Sequence, residues 1–367
     1  MYPINLMALD ANYNIVALLE CTNIQWSRKY HECGTFSIQI PLSQYNASFK
    51  YIYTKDRPEL GRISQINYSN TSGYQSVQLS GYFAEHELNR MVVYSKGTGN
   101  IINDPIWAEK IGYAENVAYD FFNAFSSIQF DDGASNVEYG IDILPGVSEG
   151  RGRRVHHVRE NSYLGDKVYD ILKSSGLSYR VDYDFNNNTK TFNVWSGLNR
   201  TEEQLDNNPV VFSTKYGNIK NPNILIDDST YKSGSIVVNQ SGSEGNATAY
   251  TRVTIDPDEI PGDNAFLIFK SSTNPDDYST LDEFYTALDA EGQTERTSRW
   301  TRTINIDFDA MSGSYKYMED FDLGDVCNIE IQEVGVSINA RLIGCYEVIK
   351  QNTWTLTMEF GTPIIKR

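Results

Sequence analysis

Apolar and polar residues alternate at both ends of the chain, with the period of two that is typical of half-buried strands. Residues 36–41 read FSIQIP, in which every second position is apolar until the proline ends the run. Near the other end, residues 327–331 read CNIEI and residues 354–360 read WTLTMEF. Because successive side chains of a strand point to opposite faces, these runs predict antiparallel sheets with one polar face.

The middle of the chain has a helical period instead. Apolar residues recur at steps of three and four from 107 to 125, after the helix-start signal Asp104-Pro105. This pattern predicts a helix of about 20 residues. A second helix is predicted over 162–175, with Gly176 positioned to end it.

Further elements are predicted beyond these helices. Residues 179–183 and 191–195 favour a hairpin around the asparagine turn 186–188, and 210–213 and 235–239 are short strand candidates. The polar segment 241–298 contains one helix signal, where Thr280 and Glu283 form a capping box. The turn Asp322-Leu323-Gly324-Asp325 precedes the strand at 327, and a chain reversal explains it fully.

These patterns predict a mainly β fold with α+β insertions. The length of the chain, 367 residues, favours two or three domains. We expect two antiparallel β-barrel-like domains and a central α+β block. The expected division is a first β-barrel domain at 1–94, an α+β domain with two helices at 95–204, a second β-barrel domain at 205–244 and 300–367, and an insertion with one helix at 245–299.

Charge limits the classes of function. With 31 basic and 48 acidic residues the formal net charge is -17, which argues against a protein that coats nucleic acid. The apolar and charged fractions, 40% and 22%, are those of an ordinary globular protein and exclude a low-complexity chain. No run approaches the roughly 20 apolar residues of a membrane-spanning helix, and no secretory signal is expected at the start.

The candidate chemistry is sparse. Cys21, His31 and Cys33 are the only close trio of metal-ligand types, but they lack paired spacing and a fourth ligand. His31 and Cys33 could share a strand face, yet no third group orients them. His156 and His157 are adjacent, so a strand would point them to opposite sides. We therefore predict no catalytic, cofactor-binding or metal-ligating residue, no cofactor, and buried free cysteines.

Two charged features allow more than one interpretation. The segment 151–159 is the one dense basic cluster, and it could be a solvated loop, a protein contact or a nucleic-acid contact. The acidic pairs at 131–132, 227–228 and 276–277 could suggest glycoside hydrolysis, which uses two carboxylates. Their Gly, Asn, Ser and Pro neighbours favour turns instead.

Several short motifs resemble the hub proteins at the tail tip, or baseplate, of siphophage-like tails, prophages and related injection machines. The matching segments are 26–30 (WSRKY), 34–38 (GTFSI) with Pro41, the helix before Gly176, 195–201 (WSGLNRT), and 317–325 with its terminal Asp-Leu-Gly-Asp. The resemblance spans most of the chain, and residues 245–300 match least.

The resemblance implies a structural virion protein rather than an enzyme. Such hubs form a ring of three subunits, each with two β-barrels, so that a threefold tip meets a sixfold tail tube. Implied partners are the tail tube or distal tail protein and a tail fibre or lysin module. DNA would pass through without specific binding, and no membrane insertion is expected. The protein would be made in the host cytoplasm and reside in the virion tail tip.

Other interpretations stay open at this stage. An acidic channel lining would let DNA slide, but solubility alone could also explain the negative charge. The alternative function is a carbohydrate-binding or carbohydrate-cleaving tail protein at the host surface, because exposed Tyr and Trp can stack on sugars. A third possibility is an isolated surface adhesin, which could be monomeric where a hub could not.

Overall fold

The computed structural model describes residues 4–71, 73–95, 100–241, 248–255, 265–299, 303–310, 315–350 and 353–363. The chain is mainly β, as predicted, and no helix of the described residues is long and apolar enough to cross a membrane. The first β region contains β1 (Leu6–Leu9), β2 (Ile15–Leu19), β3 (Asn23–Lys29), β4 (Thr35–Pro41), β5 (Tyr51–Tyr53), β6 (Gly61–Thr71), β7 (Tyr74–Phe83) and β8 (Val92–Val93).

The alternation read from the sequence sets the core of this first β region. Phe36, Ile38 and Ile40 of β4 are buried, and Trp26 of β3 is fully buried beside them. The polar residues between them lie on the other face of the sheet. The predicted strand at 36–41 is confirmed.

The central block follows in chain order. Its elements are β9 (Glu109–Tyr113), α1 (Ala114–Phe125), β10 (Ser127–Asp131), β11 (Asn136–Gly140), β12 (Leu144–Pro145), β13 (Arg154–Val158), β14 (Ser162–Tyr163), α2 (Leu164–Lys173), β15 (Ser178–Asp184), β16 (Thr189–Trp195) and β17 (Asn199–Arg200). The hairpin β15–β16 is confirmed, and α1 and α2 share one hydrophobic cluster with it. Gly176 follows α2 with a φ of 66°, the left-handed conformation that glycine adopts most easily.

The predicted start of the first helix is wrong. Helix α1 begins at Ala114, and the residues before it form β9, which pairs antiparallel with β13. The buried guanidinium of Arg159 donates to the backbone carbonyls of Pro105 at 2.8 Å and Trp107 at 3.1 Å, and it also binds the Asp104 carboxylate. Those carbonyls are therefore held by a side chain from outside the segment, whereas a helix would bond them internally.

The rest of the chain forms the second β region and a smaller unit inserted in it. The elements are β18 (Val211–Ser213), β19 (Ile219–Asp227), β20 (Gly234–Ser241), β21 (Thr248–Ile255), β22 (Phe266–Ser271), α3 (Leu281–Arg299), β23 (Thr303–Ala310), β24 (Val326–Ile331), β25 (Val336–Lys350) and β26 (Thr353–Pro363). Strands β20, β21 and β22 form their own sheet, and α3 packs on it through Phe284 and Leu288. The Glu283 amide donates to Thr280 Oγ1 at 3.2 Å, which confirms the predicted helix start.

The two β regions share one sheet. Strand β3 pairs antiparallel with β25, placing Trp26 opposite Glu347. The strand order is β19-β23-β26-β25-β3-β4-β7-β6-β5-β1-β2, with β24 beside β25 and with β17 and β18 beside β24. This path stays open over the described residues, so the barrel-like regions expected from sequence are two halves of a common sheet rather than two closed barrels. Each half keeps its own hydrophobic cluster.

Candidate functional site

Eight consecutive strands of the large sheet form a run whose two outer edges are free among the residues that the structure describes. The run is β6-β7-β4-β3-β25-β26-β23-β19. On one side, β5 pairs with Gly61 and Arg62 of β6, and the Ile63 amide donates to the Lys50 carbonyl at 3.0 Å. No described residue pairs with the later residues of β6 on that edge. On the other side, β19 is the last strand of the sheet. Unpaired strand edges readily accept a strand from another chain.

One face of this run is mainly polar, and it carries Lys29, Lys220, Lys350 and Arg62 among uncharged and acidic side chains. Cross-strand pairing places a set of hydroxyl and amide side chains on it: Gln65, Asn67 and Ser69; Ser76, Gln78 and Ser80; Thr35, Ser37 and Gln39; Asn23, Gln25 and Ser27; Thr355 and Thr357; and Asn305. The opposite face packs on the two hydrophobic clusters. We call the exposed side the polar face.

Side-chain hydrogen bonds join neighbouring strands across the polar face. Gln39 Nε2 donates to Ser76 Oγ at 2.9 Å, and Gln78 Nε2 donates to Ser37 Oγ at 2.8 Å. These bonds satisfy much of the polar surface internally and limit its side-chain motion.

Carboxylates lie near the β19 edge of the polar face. Asp309 accepts from Thr357 Oγ1 at 2.7 Å, and Asp307 accepts from Asn223 Nδ2 at 2.9 Å. Glu359 accepts from the hydroxyl of Tyr346 at 2.6 Å. Burial and the Glu359 carboxylate raise the pKa of Tyr346, so that phenol keeps its proton. This end of the face is therefore acidic.

Beneath the polar face, buried ion pairs join the two β regions. Arg28 Nε donates to Glu59 at 2.5 Å, while its Nη1 reaches Asp322 at 2.6 Å and the hydroxyl of Tyr317 at 2.7 Å. Arg28 is 4% exposed. A guanidinium shared among partners from both regions fixes their relative position because each buried polar group depends on the others.

A second junction brings in the central block. The hydroxyl of Tyr30 donates to the Gly176 carbonyl at 2.9 Å, and its ring lies edge-on to Trp195 with centroids 5.1 Å apart. Gly324 has a φ of 86°, and a Cβ there would lie 2.7 Å from the Tyr30 ring. Asp325 accepts from the Leu198 amide at 2.7 Å. Three segments of the chain therefore pack without room for one added carbon.

The motifs that carried the family resemblance meet at these two junctions. Arg28 and Tyr30 come from WSRKY, Trp195 from WSGLNRT, and Asp322 and Gly324 from the turn before β24. The predicted turn is confirmed: the Asp325 amide donates to the Asp322 carbonyl at 3.1 Å. The motifs hold the regions of the fold together.

The sequence-derived metal and dyad candidates are placed as follows. Burial lowers the pKa of His31 to about 3, so it stays neutral. Cys33 Sγ lies 3.3 Å from the Gly34 carbonyl oxygen, and burial raises the pKa of its thiol. Among the described residues, no three His, Cys, Asp or Glu side chains are arranged to hold a metal ion.

The adjacent histidines face different partners. His156 Nε2 lies 3.0 Å from Glu109 Oε2, whereas His157 Nδ1 lies 3.7 Å from Asp170 of α2. Burial lowers the pKa of His157 to about 3. The two rings therefore belong to separate contacts on the two sides of β13.

The basic segment is not a solvated loop, because residues 154–158 form β13. Arg151 Nη2 donates to Glu115 at 2.9 Å and to the Val194 carbonyl at 2.6 Å. Arg159 is buried, and its guanidinium donates to the carbonyls of Pro105 and Trp107, which precede β9. The arginines at both ends of the segment are therefore internal structural contacts.

Two of the acidic pairs lie where a strand ends in a turn, since Asp131 ends β10 and Asp227 ends β19. Asp132 Oδ1 accepts from the amides of Ala134 and Ser135, both at 2.9 Å, and Asp227 accepts from the Ser229 amide at 2.9 Å. Asp276 and Asp277 belong to a short 3₁₀ helix.

Sequence reasoning missed the buried ion pairs, although the pattern held a signal for them. Arg28 continues the apolar phase of Ile24 and Trp26, and Glu347 continues that of Cys345. A charged residue in the buried phase of a strand needs a buried partner. The identity of the partner is not readable from the spacing, because it lies in the other half of the sheet.

Known proteins share this architecture. A tail protein from Neisseria meningitidis MC58 superposes with a TM-score of 0.56 at 12% identity, covering 99% of this chain and 98% of that one. The 43 kDa tail protein of prophage MuSo2 from Shewanella oneidensis gives 0.55 at 10% identity over 97% and 98%. The prophage tail protein gp18 from Listeria monocytogenes EGD-e gives 0.54 at 10% identity over 99% and 95%. At such identities the likeness shows the fold alone.

Sequence comparison adds the family. No curated protein matches the chain significantly. The sequence profile of the family described as "Siphovirus ReqiPepy6 Gp37-like protein" matches residues 5–362, which is nearly the whole chain. The chain therefore belongs to this family and is a phage tail protein of the siphovirus type.

Proposed function

We propose that this protein is a structural hub subunit at the tail tip and that three copies form a ring around the DNA channel. The observation that carries the proposal is the eight-stranded run with a free edge on each side and one polar face. Strand β6 of one copy would pair with β19 of the next. Such a head-to-tail contact uses two different edges, and it closes into a ring when the rotation per copy is right.

The polar face would line the channel. Most of the face consists of hydroxyl and amide groups, which carry no charge to hold a phosphate, and Asp307, Asp309 and Glu359 repel it. Of the lysines on this face, Lys29 is paired with Glu32 and Lys220 lies opposite Asp309. DNA would therefore pass without specific binding. The hydrogen bonds across the face would keep the wall smooth and rigid during passage.

The remaining surfaces would serve assembly. We propose that one rim of the ring meets the tail tube or distal tail protein and the other meets a tail fibre or lysin module. The protein would reside in the virion, without membrane insertion and without catalytic activity of its own.

A crosslinking experiment tests the ring. Asn67→Cys on β6 and Leu225→Cys on β19 place thiols along the two free edges, where Leu225 is 54% exposed. A short bismaleimide should link the double variant into a covalent trimer, on purified protein and on assembled tails. The matched control pairs Asn67→Cys with Val334→Cys, a 58% exposed position on the short turn between β24 and β25, and should give no trimer.

Particle imaging of the tails supplies the second measurement. Three copies per tail at its distal end are expected. If the protein lies along the fibres, or if each tail carries only one copy, the hub assignment is wrong.

A further inference from the structure

We propose that the loop carrying Leu205 in one copy inserts into a basic, apolar-floored cavity beside β6 of the next copy. This inference rests on the proposed ring and identifies a contact that would lock it. We call residues 201–209 the Leu205 loop and the other feature the β6 cavity.

The Leu205 loop presents its leucine fully to solvent while the backbone around it is fixed. Leu205 is 99% exposed. Gln204 Nε2 donates to the carbonyls of Thr201 at 2.9 Å and Asn207 at 2.7 Å, and the Asn207 amide returns a bond to Gln204 Oε1 at 2.7 Å. A leucine held out on a pre-ordered loop loses little conformational freedom on binding, which favours a role as an anchor.

The loop is also tied to the second β region and is acidic. The Glu202 amide donates to Asn328 Oδ1 at 2.8 Å, and Asn339 Nδ2 donates to Glu203 at 2.7 Å. Carboxylates at 202, 203 and 206 flank the leucine. Its partner surface should therefore combine an apolar floor with positive charge.

The β6 cavity has that combination in a chain whose net charge is -17. Its volume is about 430 Å³, large enough for a leucine side chain with its neighbours. Ile63, Tyr82 and Phe83 supply apolar surface. The positively charged or basic lining residues are Lys50, Arg62, His86 and Arg90.

The one acidic residue that lines the cavity already forms an ion pair. Glu87 binds the buried ammonium of Lys190 at 2.7 Å within the same chain. The cavity therefore keeps a positive balance toward an incoming ligand, and charge complementarity favours the acidic loop over an apolar segment without charge.

The positions of the two features place this contact between copies. The Leu205 loop leads into β18, and a turn at 214–217 joins β18 to β19. The β6 cavity borders β6 where it leaves β5. The hydrogen bonds of the Leu205 loop place it beside β24 and β25 of the second β region, whereas the β6 cavity lies in the first β region. In a head-to-tail ring the loop of each copy would meet the cavity of one neighbour, and its own cavity would receive the loop of the other.

Light scattering on the full chain tests the contact with two variants. Leu205→Asp removes the anchor, and Arg62→Glu with Arg90→Glu reverses the cavity charge. We expect trimers for the unchanged protein and a roughly 30-fold or larger loss of association for each variant, as for a central interface anchor. Val147→Asp, at an 84% exposed position of the central block, is the matched control and should stay trimeric.

Mixing the two variants gives a sharper result. One variant keeps its cavity and the other keeps its loop, so an equal mixture should form dimers and no trimers. Trimers that persist in Leu205→Asp overturn this inference and leave the ring intact. If only the cavity variant loses association, another acidic segment is the occupant and the assignment to Leu205 is wrong. An unchanged protein that stays monomeric in solution also overturns the proposed loop–cavity contact. The crosslinking experiment on assembled tails tests the ring independently.

Discussion

The guanidinium of Arg57 meets the carboxylate of Glu347 at two points, with Nε donating to Oε1 at 2.8 Å and Nη2 donating to Oε2. The two residues are 290 positions apart in the chain, and both side chains are buried. The indole of Trp354 donates to the same carboxylate at 3.0 Å. This pair joins the first and second β regions.

Removal of one partner should weaken the fold severely. In Arg57→Met, Glu347 loses both guanidinium bonds while it stays buried, so we expect a loss of about 3–5 kcal/mol in the free energy of unfolding. Urea denaturation measures it. Glu319→Gln removes an exposed 3.0 Å ion pair with Lys316 and should cost less than about 1 kcal/mol. A cost for Arg57→Met as small as that of the control would contradict a stabilising role for the pair.

Gly324 should not tolerate a side chain. Its φ of 86° disfavours any other residue, and a Cβ would also lie 2.7 Å from the Tyr30 ring and 3.0 Å from Trp195. Gly324→Ala should therefore lower the melting temperature more than Gly335→Ala. Gly335 has a φ of 65° but no atom within 4 Å of the added Cβ, so that control isolates the backbone cost. Equal effects would mean that the packing at the junction is not tight.

Glu85 should make stability depend on pH. It borders a cavity of about 30 Å³, room for one water molecule, and burial raises its pKa from 4.5 to about 7. The folded chain thus holds this proton more tightly than the unfolded chain. The resulting stabilisation is complete below pH 4.5 and is lost as the pH rises to 7.

A glutamine at position 85 mimics the protonated acid at every pH. Relative to the unchanged protein, Glu85→Gln should be about equally stable at pH 4 and up to about 3 kcal/mol more stable at pH 8. The backbone amide of Val181, 3.2 Å from Glu85 Oε1, keeps an acceptor in the variant. Thermal unfolding across this range measures the difference. If the variant is no more stable than the unchanged protein at pH 8, the ionised carboxylate of Glu85 does not destabilise the folded protein, which would contradict this prediction.

Positive charge on the polar face should slow DNA passage. Gln25, Gln78 and Asn305 are exposed there, and lysines at these positions would hold phosphates. We expect ejection from assembled phage to slow several-fold and to recover at higher salt. Glutamate at the same three positions matches the size and adds repulsion, so it should leave the rate unchanged. Normal ejection by the lysine variant would place this face away from the channel.

Local patterns in the sequence predicted most of the elements, because the forces that form them are local. The alternation in residues 36–40 placed β4, the capping pair Thr280 and Glu283 placed α3, and Gly324 placed a turn with positive φ. The first helix was extended too far because the apolar spacing of 107–113 is also compatible with a strand. Arg159, more than 40 residues later, decides between them.

Local sequence patterns could not predict the polar face or the two junctions beneath it. Pairing of β3 with β25 has no sequence signal, because any two strands with matching faces could pair. The basic segment was interpreted by its composition, whereas Glu115 and the carbonyls around Arg159 determine its role. The resemblance to tail proteins did identify the residues of the junctions, without showing what they contact.

The pairing of β3 with β25 also affects how the chain folds during synthesis. The partners of residues 23–29, at 344–350, are made more than 300 residues later. At roughly 5–20 residues per second, the inner edge of β3 waits on the order of tens of seconds for its neighbour. During that time the nascent half-sheet exposes a long unpaired strand, so translation that stops early would release a product prone to aggregate.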